Sequence, residues 1–98
     1  MIITAIKVAL HFDQSRSLKD KRRLLKSIML KVKQRFNVSV AEIADQDLWQ
    51  KATIGITYAS IAKFQAEKQA RAVEIYIANM EKGTISQYEY QIDKVIED

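Results

Sequence analysis

Apolar and polar residues alternate along four segments of the chain, and a period of two is typical of β-strands with one buried face. In the first segment Ile6, Val8 and Leu10 fall on one side, whereas Lys7 and His11 fall on the other. The strands predicted from this pattern cover residues 2–12, 38–44, 52–58 and 88–92.

Two longer segments carry apolar residues at helical spacing, which predicts helices lying on a core. Ser17 is a suitable N-cap for the first helix, with Asp20 three residues on, and Asn37 is suited to end it in a left-handed conformation. Ser60 can cap the second helix and Gly83 can end it. The apolar sides are Leu18, Leu25, Ile28, Met29, Val32 and Phe36 in the first helix, and Phe64, Ala66, Ala70, Val73, Ile77 and Met80 in the second.

The predicted order of elements is β-α-β-β-α-β, in which each strand–helix–strand unit needs a right-handed crossover. Two such units give an α+β, ferredoxin-like βαββαβ sandwich with a four-stranded antiparallel sheet and two helices on one face. We expect a single domain over residues 1–98. The open face of the sheet would then carry small or polar residues, namely Ala5, Lys7, Ala9, Thr53, Gly55 and Thr57.

Composition narrows the class of protein further. The chain of 98 residues has no cysteine, which excludes disulfides and thiolate chemistry and agrees with a cytoplasmic protein. The first apolar run, residues 1–10, is interrupted by Lys7 and is too short to span a bilayer, so we expect neither a signal peptide nor a membrane association.

Charge is distributed unevenly along the chain, whose net charge is +4. Residues 16–35 contain nine basic residues and one acid, Asp20, hence a net charge of +8. The other seven basic and eleven acidic residues leave the rest of the chain at −4. A positive element on a mildly negative body indicates a polyanionic or acidic partner.

Five of these cations share one flank of the first helix and form what we call the cationic strip: Lys19, Arg22, Arg23, Lys26 and Lys33. Their helical angles lie between about 40° and 140° from Leu18, beside an apolar stripe centred near ~330°. Such a strip can contact the phosphates of structured RNA. The alternative is a solvated helix face, although like charges at three- and four-residue spacing weaken a helix. Base stacking on the sheet is not expected, because no open-face position of the central strands is aromatic.

Trp49 lies in the turn after the second strand, behind Asp47 and Leu48. It can be an exposed aromatic anchor for a partner, and it is the residue that we assign to a partner contact on that interpretation. It can also close one end of the core while Asp47 binds turn amides. The second interpretation is favoured, because large aromatic side chains mostly supply buried area.

No metal or cofactor site is predicted. His11, the one histidine, faces the open side near Asp13, and Glu42, Asp45 and Asp47 form at most a loose acidic cluster. Metal ions need three or four convergent ligands, and no spacing of histidines and carboxylates in this sequence provides them.

The sequence also predicts a protein that is not an enzyme. Gly55 and Gly83 stand alone, so there is no glycine-rich phosphate loop, and a single histidine supports no catalytic triad. An acylphosphatase-like activity is the one enzymatic alternative, since acylphosphatases share this topology and bind phosphate with an arginine in the first loop. Arg16 lies in that loop here, but the glycine cradle and the third-strand asparagine are missing.

A homodimeric protein-interaction module is the competing functional class. The small residues of the open face would let two sheets approach closely, and the last strand, with Gln87, Glu89 and Gln91 outward, could pair as an edge. In that case the basic helix would dock on an acidic partner protein.

Three stretches of the chain, residues 17–23, 35–42 and 46–50, resemble the YlxP-like family of small bacterial proteins of unknown function. They read Ser-Leu-Lys-Asp-Lys-Arg-Arg, Arg-Phe-Asn-Val-Ser-Val-Ala-Glu and Gln-Asp-Leu-Trp-Gln. Where that family often has an Asp-His pair, this chain has Ala44-Asp45. The resemblance implies a ferredoxin-like fold. It also implies association with RNA or the ribosome, in translation or ribosome maturation, because genes of that family tend to lie beside such factors.

Overall fold

The computed structural model describes residues 1–97, so Asp98, the last residue of the predicted domain, lies outside the described part. The elements in chain order are β1 (Ile2–His11), α1 (Leu18–Arg35), β2 (Ser39–Ala44), β3 (Lys51–Ser60), α2 (Lys63–Asn79) and β4 (Thr84–Lys94). All six predicted elements are confirmed. None of the described helices is long and apolar enough to cross a membrane.

The four strands form one sheet in the order β2-β3-β1-β4. Every neighbouring pair is antiparallel, and β1 pairs along its whole length with both β3 and β4. At the centre of the sheet β1 lies between β3 and β4, which are not its neighbours in the chain, because the chain crosses over through each helix before it returns to the sheet. This arrangement confirms the α+β, ferredoxin-like fold, with β2 and β4 as its edge strands.

The core lies between one face of the sheet and the two helices. Alternate residues of the central strands point into it, so that Val8, Leu10, Ile54 and Ile56 have no accessible surface. The helices contribute Leu25, Ile28, Val32, Ala66, Ala70, Val73 and Ile77. Removal of this apolar surface from water is the main stabilising contribution.

Two tyrosines of the sheet, Tyr58 in β3 and Tyr88 in β4, form hydrogen bonds with the backbone of α2. The Tyr58 hydroxyl donates to the Ala66 carbonyl oxygen at 2.7 Å, and the Tyr88 hydroxyl donates to that of Ala70. Burial raises the pKa of both hydroxyls above the ordinary tyrosine value, because the phenolate would lose its hydration.

The start of α1 agrees with the sequence, but its end does not. The Ser17 hydroxyl accepts a hydrogen bond from the Asp20 backbone N–H at 3.1 Å, which confirms the N-cap. The helix ends at Arg35 with Phe36 in an extended conformation, and the described residues with positive φ do not include Asn37. The predicted left-handed cap at Asn37 is therefore wrong.

The boundaries of α2 also differ from prediction. Because β3 continues through Ser60, the N-cap position falls on Ala62, which supplies no side-chain hydrogen bond. Phe64 consequently lies in the first turn of α2 and is 69% exposed instead of packing in the core. The helix ends at Asn79, and Gly83 has no positive φ.

Candidate nucleic-acid interface

All five side chains of the cationic strip are exposed along α1. Arg23 lies 3.8 Å from the Asp20 carboxylate, an exposed pair one helical turn apart. Within residues 1–97, no carboxylate lies within 4.0 Å of the other four cations. Exposed pairs contribute little, so the strip keeps most of its charge available to a partner.

Lys21 differs from its neighbours, because its side chain is fully buried although it belongs to the basic segment. Its Nζ donates to the backbone carbonyl oxygens of Asp45, Gln46 and Lys51 at 2.8, 3.1 and 3.3 Å. Its three N–H donors are thereby used. The Glu42 Oε2 atom at 3.5 Å completes the environment as an ion-pair partner. Eight of the nine basic residues in the +8 segment are exposed, so the segment's surface charge is one unit lower than the sequence implied.

Lys21 binds backbone carbonyl oxygens of the β2–β3 hairpin loop, which we define as residues 45–50. Asp45 begins it with a φ of 65°, a left-handed conformation that aspartate tolerates better than most residues. The Thr53 hydroxyl donates to the Asp45 carboxylate at 2.6 Å. This hydrogen bond lowers the pKa of Asp45, against the effect of desolvation, and the neighbouring charge of Lys51 lowers it further.

Trp49 lies in the β2–β3 hairpin loop, is 50% exposed and is not among the residues packed against the core. The favoured interpretation, a ring that closes the end of the core, is therefore wrong. The backbone N–H of Leu48 donates to the backbone carbonyl oxygen of Asp45 at 3.1 Å. This turn amide is therefore bound by a backbone oxygen, and not by the Asp47 side chain as that interpretation supposed. Leu48 is 47% exposed, and the loop presents two large apolar side chains to solvent.

A shallow groove of about 380 Å³ separates α1 from the edge strand β2. Its lining combines the apolar residues Leu25, Met29 and Leu30 with the charged residues Arg22, Lys26, Lys33 and Glu42. Because Glu42 belongs to β2, this groove places three cations of the strip on the β2 side of α1.

The open face of the sheet is less open than the sequence suggests. Ala9 and Thr53 retain only 4% and 3% of their accessible surface. The pairing of β2 with β3 shifts between Glu42 and Ala44, and the side chain of the extra residue, Ile43, lies over Gly55. A bulge turns a side chain to the other face of a strand, which sequence alternation alone does not reveal.

The remaining candidate residues do not converge on one centre. His11 Nε2 lies 2.9 Å from Asp13 Oδ1, as its position on the open side led us to expect. This pair borders a cleft of about 470 Å³ at the start of β4. Glu42 and Asp45 face Lys21 and Lys51 instead of each other, so the proposed acidic cluster is neutralised by lysines.

The observations so far describe a ferredoxin-like α+β protein with a charged helix and no assembled catalytic centre among residues 1–97. The chain belongs to the family DUF503, described as a protein of unknown function, whose profile matches residues 3–90. No catalytic function is indicated for this family.

A curated relative is the uncharacterized protein YlxP of Bacillus subtilis (strain 168), which is 44% identical over 61 residues. The match covers 62% of this chain and 66% of that protein, just under two thirds of its length. Family membership and this relative confirm the resemblance stated from the sequence.

Solved structures with a similar fold include three proteins of different kinds. The de novo designed protein Foldit4 has a TM-score of 0.53 at 18% identity, with 97% of this chain and 98% of that chain covered. At3g17210 from Arabidopsis thaliana has a TM-score of 0.51 at 14% identity, covering 98% and 97%. LarC2, the C-terminal domain of a cyclometallase, has a TM-score of 0.51 at 11% identity, and this chain covers 54% of it. At such low identity these similarities concern the fold alone.

Proposed function

We propose that this protein is a non-catalytic, cytoplasmic protein that binds structured RNA, free or within a ribosomal particle, through the cationic strip. The observation that carries the proposal is a row of five exposed cations with one neighbouring carboxylate. Self-repulsion makes such a row unfavourable in the free protein, whereas phosphates would neutralise it and release counterions.

The dimensions of the strip agree with a phosphate backbone. Lys19 and Lys33 are fourteen residues apart on α1, which corresponds to about 21 Å along the helix axis. Four or five contacts with phosphates should give a slope of about −4 when log affinity is plotted against log salt concentration. Base readout is not expected from lysine and arginine side chains that contact phosphates only.

The direct test is fluorescence anisotropy of a labelled RNA hairpin titrated with protein at several salt concentrations. The variant Arg22→Glu/Arg23→Glu should weaken binding and flatten the slope. The matched control is Lys63→Glu/Lys68→Glu, which makes the same change in net charge at exposed positions of α2. Equal losses in both variants, or binding that does not respond to salt, would contradict phosphate contact by the strip.

A cellular test follows the protein through a sucrose gradient. We expect it to travel with ribosomal particles at low salt and to leave them at high salt, while Arg22→Glu/Arg23→Glu stays in the light fractions. If the wild-type protein stays in the light fractions at all salt concentrations, the ribosomal form of the proposal is wrong.

A second candidate function is docking on an acidic partner protein. The groove between α1 and β2 favours it, because a lining of Leu25, Met29 and Leu30 beside cations suits an acidic, amphipathic segment. Affinity capture with and without nuclease distinguishes the two, since partners held through RNA are lost after nuclease treatment. Light scattering tests whether the protein forms the homodimer predicted through the open face or an edge strand.

A further inference from the structure

The β2–β3 hairpin loop is held against the start of α1. Lys21 binds two of its carbonyl oxygens from the first turn of the helix. The Gln50 side-chain amide donates to the Ser15 carbonyl oxygen at 3.2 Å, and the Gln50 carbonyl oxygen accepts from the Phe12 backbone N–H at 2.8 Å. The loop is thus anchored on both sides, to the helix and to the segment before it.

Trp49 is consequently displayed at a defined place. The residue is 50% exposed, and the loop that carries it lies beside the N-terminal end of α1, where Lys19, Arg22 and Arg23 begin the cationic strip. Lys21 and Gln50 fix the loop at that end of α1. An exposed aromatic residue and the first cations of the strip therefore lie at the same end of α1.

We propose that Trp49 is a stacking platform for an unpaired nucleobase of an RNA whose phosphates lie on the cationic strip. This inference rests on the proposed function and adds the class of RNA: a duplex that continues into a single-stranded segment at one end. Every nucleobase has a π-face, so stacking on an indole is tolerant of sequence, and the neighbouring cations hold the adjoining phosphates.

An RNA fits this juxtaposition better than an acidic protein does. The charge of the strip comes from lysines and arginines on a rigid helix spaced over about 21 Å, which a regular phosphate backbone can match contact by contact. The arrangement also differs from base stacking on an open sheet, because the aromatic side chain belongs to a hairpin loop and not to the central strands.

Trp49 is the one tryptophan of the chain, so its intrinsic fluorescence reports this contact directly. Two RNA hairpins would be compared, one blunt and one identical but with a short single-stranded overhang. We expect the overhang to tighten binding by about 5- to 150-fold, the range found for one stacked base, and to quench the tryptophan fluorescence. The blunt hairpin should bind through phosphates with little quenching.

The variant Trp49→Ala should remove the preference for the overhang while keeping the affinity for the blunt hairpin and the salt slope. Trp49→Phe should retain part of the preference, and Leu48→Ala, an equally exposed neighbour, should retain all of it. Urea unfolding of each variant shows that the fold is intact.

Equal binding of both hairpins without quenching would overturn the stacking inference and leave RNA binding by the strip standing. Loss of affinity for both hairpins in Trp49→Ala would also overturn it, because it would indicate a structural role. If neither hairpin binds the wild-type protein, the proposed function fails together with the inference. Quenching by an acidic partner protein but not by RNA would assign Trp49 to a protein contact instead.

Discussion

Replacement of the buried Lys21 by methionine should destabilise the protein strongly. The substitution keeps an unbranched side chain but removes three hydrogen bonds to backbone carbonyl oxygens and the ion pair with Glu42. The Glu42 Oε2 atom has almost no accessible surface and no hydrogen-bond partner among the described residues, so Lys21 is its compensating charge.

The size of the stability loss in Lys21→Met depends on the Glu42 carboxylate, which loses its ion-pair partner. Removing one partner of a fully buried ion pair costs about 3–5 kcal/mol. The Glu42 side chain retains 23% of its accessible surface, so water relieves part of that cost. Hydrogen bonds to charged groups add about 1.5–3 kcal/mol each, although water can replace Lys21 at the part-buried carbonyls of the loop. We therefore expect Lys21→Met to lower the free energy of unfolding by about 3–5 kcal/mol, a large share of the ~5–15 kcal/mol typical of a domain.

The assay is urea unfolding followed by circular dichroism, with Lys19→Met as the matched control. Lys19 lies two residues away and is exposed, so its replacement should change stability by no more than about 0.5 kcal/mol. Adding Glu42→Leu to Lys21→Met should recover part of the loss, with a coupling energy of about 0.5–3 kcal/mol. A loss in Lys21→Met as small as in Lys19→Met, or strictly additive single effects, would refute this reasoning.

Three further variants test other contacts. Gly83→Ala should cost about 1–3 kcal/mol in urea unfolding, because the added Cβ would lie 2.7 Å from the buried ring of Phe12; an unchanged midpoint would show that the ring can move. Thr53→Val removes the hydrogen bond that lowers the pKa of Asp45. Stability linked to this carboxyl is present above its unfolded pKa of about 3.9 and is lost as pH falls, so the variant should show a weaker acid dependence below pH ~4. Unchanged acid sensitivity would count against that linkage. The pKa of Tyr58 is raised by burial, so stability is complete below the ordinary value of 10.0 and falls above it. Tyr58→Phe should lessen the alkaline loss measured by unfolding between neutral pH and pH ~11, and an identical loss would place its origin elsewhere.

Sequence periodicity predicted the elements well, because each element has one buried face and the pattern of burial is local. Ile6, Val8 and Leu10 of β1 are buried as the alternation requires. The same periodicity contained the signal for Lys21, which lies about 300° from Leu18 and four residues before Leu25, within the apolar stripe of α1. Lys21 entered the sequence analysis only through the net charge of +8 for residues 16–35, since lysine is rarely buried without partners.

Element ends were less predictable, because they depend on what the adjoining segments do. Ser60 can cap a helix, yet pairing with Ile2 keeps it in β3 and moves the N-cap to Ala62. Asn37, after α1, does not adopt the expected left-handed conformation. Glu81, which follows α2 where the chain turns toward β4, does adopt it, with a φ of 57°.

The amino-acid sequence by itself determined the order of the elements, the side of each element that is buried and the position of the cationic strip on α1, since periodicity and helix geometry act over a few residues. Only the tertiary structure decided which carbonyl oxygens and which carboxylate surround Lys21, and that Trp49 is exposed. Both outcomes depend on contacts between segments far apart in the chain, such as that of Lys21 with Asp45, 24 residues away. Such contacts arise when the β2–β3 hairpin loop packs against α1, and no local pattern records that packing.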